Sequence, residues 1–79
     1  MNDKELLQSV IKLLDCVKEG MYFCFNEQDQ DGIICCYEAF KTFIENDVIP
    51  QCEYIPTAVE CTKAVRVVYR LALSLVMSL

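Results

Sequence analysis

Seventy-nine residues, a net charge of −5 and 54% apolar side chains bound the molecule before any pattern is read. One domain of this size hides only about 60% of the surface its extended chain exposes, and its apolar share exceeds the rough 45–50% of an ordinary domain, so another chain is expected to cover the surplus. The absence of histidine removes Cys–His, Ser–His and histidine–metal chemistry, and the acidic balance argues against a nucleic-acid partner.

From residue 4 onward Leu6, Leu7, Val10, Ile11, Leu13, Leu14, Val17 and Met21 recur at helical spacing, with Gln8, Lys12, Asp15 and Glu19 opposite. The pattern predicts an amphipathic helix over residues 4–25. Asn2 or Asp3 supplies its N-cap, with Glu5 placed as in a capping box. Gly20 is expected to lie inside this helix, because stopping there would leave the apolar run "MYFCF" as a loop.

"NEQDQDG" over residues 26–32 reads as a turn, with Asp29 or Asp31 capping a second helix over residues 30–47. Ile33, Ile34, Cys36, Tyr37, Phe40, Phe43, Ile44 and Val48 form its apolar side. A connection this short makes the two helices an antiparallel hairpin. Pro50 and Pro56 then interrupt the chain, and Thr57 with Glu60 suggests a capping box for a third helix over residues 58–78.

That third helix carries a narrow polar strip of Lys63, Arg66, Arg70, Ser74 and Ser78, while apolar side chains cover most of its circumference. A helix packed on one hairpin needs an apolar stripe of roughly 100° or somewhat more. The excess falls on Val65, Val67, Val68, Leu71, Leu73, Leu75, Val76, Met77 and Leu79, which are therefore the expected interface. The sequence thus predicts an all-α domain spanning residues 1–79: a helical hairpin plus a third helix, forming a three-helix bundle that associates into a dimer. The expected partner is a second copy or another helical protein, and the expected function is that of a protein–protein interaction or regulatory module.

Charge is unevenly placed, with a net −8 over residues 1–60 and +3 over residues 61–79. Lys63, Arg66 and Arg70 make an anion-binding site an alternative reading. Compensation of the arginines by Glu38 and Glu45, in this chain or a second copy, is expected. A small enzyme is the rival of a different class and needs a polar cleft built from Glu38, Glu45, Arg66, Arg70, Tyr37 or Tyr69.

Six cysteines in so short a chain resemble a secreted disulfide framework such as that of the saposin-like family. The resemblance fails on spacing, since those sequences open and close with a near pair, whereas Cys16, Cys24, Cys35, Cys36, Cys52 and Cys61 do not. The first ten residues lack the basic and apolar segments of an export signal, so a cytoplasmic location with reduced thiols is expected. Cys35, near the start of the second helix, is the best candidate for a reactive thiol. No C-x-x-C pair or separated ligand pairs suggest zinc, and no cofactor is expected.

A further alternative is a calcium-responsive helix–loop–helix over residues 27–38. Glu27, Asp29, Asp31 and Glu38 fall at the first, third, fifth and twelfth positions of such a loop, with Gly32 at the sixth. The register is weakened by glutamate at the first position and by helical patterning that runs through Ile33–Glu38. Finally, only nine residues follow Arg70 without a charge, against about 20 for a membrane span, so no transmembrane segment is expected.

Overall fold

The computed structural model describes residues 2–79. Three long helices carry nearly all of them: α1 over Asp3–Asn26, α2 over Gln30–Phe43 and α3 over Ile55–Met77. A π-helical turn over Ile44–Val48 and a 3-10 turn over Ile49–Gln51 extend α2. The helices pack side by side into a rod with Cα extents of 40 × 16 × 15 Å.

Local chemistry sets most of the boundaries. Asn2 caps α1 through its side-chain oxygen, which accepts from the Glu5 N–H at 2.9 Å, and Asp29 caps α2 by accepting from the Gly32 N–H at 2.9 Å. Both satisfy amide donors that the first helical turn leaves without intrahelical partners. Gln28, between them, adopts a left-handed conformation with φ 57°.

α1 runs straight through Gly20, as the apolar pattern demands, and the next residue, Met21, is fully buried. The same glycine belongs to a reciprocal arrangement on the hairpin seam. Gly20 and Cys24 stand one turn apart on α1, and Gly32 and Cys36 stand one turn apart on α2. The Cys36 sulfur lies over Gly20, 3.6 Å from where a Cβ would be, and the Cys24 sulfur lies over Gly32, 2.7 Å from the corresponding position. Each helix thus presents a gap to the other helix's thiol, which lets the two backbones approach closely.

The second helix is shorter in its α-helical part than the expected 30–47, and Pro50 supplies the reason. Its ring would clash with the carbonyl of Asn46 in a continuing α-helix, and it has no N–H to donate. The chain widens instead into the π turn, where the Ile49 N–H reaches the Ile44 carbonyl. Ile44 and Val48 stay buried there.

The third helix begins three residues earlier than expected. Tyr54 is its N-cap, with no side-chain capping bond, so the Thr57–Glu60 capping box does not form. Pro56 sits in the first turn, where a missing N–H has no cost, and Thr57 is buried instead of capping. The segment before α3 is held from α1: Asp3 accepts from the backbone N–H groups of Glu53 at 2.9 Å and Tyr54 at 3.0 Å. These bonds, together with Thr57, hold the Asp3 carboxyl below its ordinary range, the Glu53 amide contributing most.

Leu6, Val10 and Met21 from α1, Ile33 and Phe40 from α2, Ile44 and Val48 from the π turn, and Cys61, Val68, Ala72 and Leu75 from α3 form one core. Two of the residues expected at an interface are therefore interior. Val68 is fully buried and Leu75 nearly so, because both lie on the side of α3 that closes over the hairpin. Val65, Leu71 and Val76 are half-buried at the edges of that side.

Candidate protein-interaction surface

What α3 leaves outside is a ridge. Ile55, Val59, Thr62, Arg66, Tyr69, Leu73 and Met77 follow one another at intervals of four or three residues, which places them along one face of a helix. All are solvent-facing, with Ile55 81%, Met77 78% and Tyr69 50% exposed. The ridge runs about 33 Å at 1.5 Å per residue. Among the expected interface residues Leu73 and Met77 lie on it. Val67 faces sideways into a groove with Leu7, Ile11 and Leu14 of α1, and Leu79 sits at the bundle end beside Phe25 and Gln28.

Ile55, Val59 and Tyr69 extend this surface beyond the sequence expectation. Their signal was present in the four–three spacing, but an α3 starting at residue 58 excluded Ile55 and hid the start of the series. Total accessible surface is also somewhat large: a 9.1 kDa monomer of ordinary compactness shows about 4,900 Å², whereas this one shows 5313 Å².

On the α2 side the ridge borders a groove of about 240 Å³ lined by Ile34, Tyr37, Glu38, Tyr69, Ala72, Leu73 and Val76. Tyr37 and Tyr69 meet edge to face across it, with ring centroids 5.5 Å apart, a geometry favoured by the ring quadrupoles. Arg66 instead lines a shallow hollow with Ile55, Ala58, Val59, Thr62 and Lys63. Glu38 and Arg66 therefore line different grooves.

Nor does the expected charge compensation occur within the chain. Glu45 pairs with Lys41 at 3.8 Å and Glu60 with Lys63 at 3.1 Å. Among the described residues no acid lies within ion-pair distance of Arg66 or Arg70, and no base lies within that distance of Glu38.

The remaining candidates are dispersed. Glu27, Asp29 and Asp31 lie in or next to the interhelical turn, Asp29 is occupied as a cap, and Glu38 lies two helical turns along α2 from Asp31. Among the described residues no three metal-ligating side chains come together. All six thiols are free, Cys35 and Cys16 exposed and Cys61 buried. Burial, with the neighbouring Cys52 thiol adding to it, pushes Cys61 up to about 11, and burial likewise raises Cys36, next to Cys24.

A second apolar groove, of about 450 Å³, lies between α1 and α2 and is lined by Leu13, Cys16, Val17, Gly20, Cys36, Ala39, Phe40 and Phe43. It has no charged or hydroxyl-bearing side chain to orient a small ligand. Among the described residues no helix is long and apolar enough to cross a membrane. No protein-family model matches the chain, and neither the curated proteins nor the solved structures contain a significant match to it.

Proposed function

We propose that this chain is a small helical protein–protein interaction module that self-associates through the outer ridge of α3. The observation that carries the reading is the row Ile55, Val59, Tyr69, Leu73 and Met77: five large apolar side chains exposed along one helical face, without a neighbouring element to cover them. Burying such a row yields roughly 25 cal/mol per Å² of apolar area removed from water, and a standard interface takes about 800 Å² from each partner. That is about 15% of this chain's surface. The spacing of four and three along the ridge is that of a helix pairing seam, which makes a helix the fitting partner.

Dilution followed by amide NMR tests the assignment of the surface. Chemical-shift changes between millimolar and low-micromolar chain are expected to cluster on residues 55–77 at the outward positions, with Val68 and Leu75 following only weakly. Shifts that cluster on α1 or on the α1–α2 groove would move the interaction surface elsewhere, and spectra unchanged by dilution in a monomer would refute self-association.

A further inference from the structure

Arg66 lies on the ridge, and charges of opposite sign without partners in the chain flank it, Arg70 on one side and Glu38 on the other. Arg66 stands near the crest and Arg70 toward the α1 side, where the next groove contains Lys63 and Val67. Glu38 stands on the opposite, α2 side, at the lip of the groove that holds Tyr69 and Leu73. Tyr37 against Tyr69 sets the approximate register of α2 beside α3, and the two run antiparallel, with Ile34 and Val76 lining the same groove beyond that pair. Counting from that pair, Glu38 is level with residue 68. That level lies between those of Arg66 and Arg70.

We propose that the partner is a second copy of this chain related by a two-fold axis parallel to α3. The two ridges then pack in parallel, and Arg66 and Arg70 of each copy meet Glu38 of the other. The inference rests on the self-association reading above and adds its geometry. A two-fold axis along the helices keeps each level opposite the same level and exchanges the sides, so the α1 margin of one copy faces the α2 margin of the other. Three charges without partners in the single chain become two symmetry-related clusters, each with one carboxylate between two guanidiniums.

A two-fold axis perpendicular to the helices keeps the margins on the same side. Passing near residue 66, the midpoint of the ridge, so that the two ridges overlap in full, it sets Arg66 against Arg66 and leaves Glu38 unmatched, a like-charge arrangement that disfavours association. An isologous interface requires the same patch on both partners to be self-complementary, and of these two arrangements the parallel one makes this patch so. An arginine near the crest can lay its apolar stem along the ridge and keep its head at the rim. A polar residue inside an apolar seam also fixes register, as in coiled coils.

Charge exchange tests the geometry. Dissociation constants measured by sedimentation in reducing buffer are compared for the wild type, Glu38→Arg, the Arg66→Glu/Arg70→Glu double variant and the combined triple variant. All three positions are exposed, and thermal melts by circular dichroism verify that the monomer fold is kept. Glu38→Arg and the double variant are each expected to weaken dimerisation about tenfold or more, and the triple variant to return to within about threefold of the wild type. A triple variant no tighter than its parents, with Leu73→Glu still abolishing the dimer, overturns the parallel two-fold while leaving the ridge as the interface. A wild type that stays monomeric to millimolar concentration overturns both.

Discussion

Alanine at the two glycines should have opposite effects, because the seam between α1 and α2 treats them differently. At Gly32 an added Cβ would stand 2.7 Å from the Cys24 sulfur and closer still to the Asp29 carboxylate, so both side chains must move. Asp29 is the cap of α2, and displacing it loses about 1 kcal/mol. Crowding Cys24 adds about 1–2 kcal/mol, the lower part of the overpacking range because a thiol can rotate. The gain in helix propensity from Gly to Ala is at most about 1 kcal/mol. The sum is a net destabilisation of about 1–2 kcal/mol. At Gly20 the new methyl would meet the Cys36 sulfur at 3.6 Å, an ordinary contact. There the propensity gain stands alone, and Gly20→Ala should stabilise by about 0.5–1 kcal/mol. Urea denaturation at fixed chain concentration reads both, and Cys24→Ala should recover part of the Gly32→Ala loss. A Gly32→Ala protein as stable as the wild type, or a Gly20→Ala protein destabilised by a similar amount, would refute the reciprocal thiol-over-glycine packing.

Gln28→Gly should raise stability by up to about 1 kcal/mol, since glycine relieves the left-handed φ of 57° and returns part of the gain as chain entropy; a loss in the same urea assay would contradict this. Asp3 has a folded-state pKa below its ordinary 3.8, so its contribution is present above that value and is lost as pH falls through the lower, folded one. Acid unfolding of Asp3→Asn should accordingly show a weaker dependence on pH below about 4 than the wild type, and identical acid profiles would remove Asp3 from the account. A pulse of iodoacetamide on native protein, followed by mass mapping, should alkylate exposed Cys16 and Cys35 first and Cys61 only after unfolding, because Cys61 is buried and its thiol is pushed up to about 11. Labelling of Cys61 at the rate of Cys16 would contradict its place in the core.

Periodicity carried the reading of the fold furthest where it was longest. The stripe from Leu6 to Met21 located α1, including its passage through Gly20, and short polar punctuation located the hairpin turn and the Asp29 cap. Those signals are local, and so is the chemistry behind them. The hold of Asp3 on the amides of Glu53 and Tyr54 links residues some fifty positions apart, and no spacing in the chain announces it. Pro56 and Thr57 suggested a helix start just after the proline, yet proline is equally suited to the first turn, and this ambiguity concealed Ile55. Surplus apolar surface on α3 could be read from composition, but which part of it turns inward depends on where the hairpin lies. Val68 and Leu75 went to the core for that reason, leaving Leu73 and Met77 outside with Tyr69. The near-equal level of Glu38, Arg66 and Arg70 required the packing of Tyr37 on Tyr69 and was not legible from residue spacing.

Sedimentation equilibrium of the wild type and Leu73→Glu, across micromolar to millimolar chain in reducing buffer, addresses self-association through α3 most directly. The wild type should pass from one to two chain masses over that range, while Leu73→Glu, with an unaltered helical spectrum, should remain at one. A wild type at a single chain mass throughout, or a Leu73→Glu variant that associates as readily as its parent, would contradict the account.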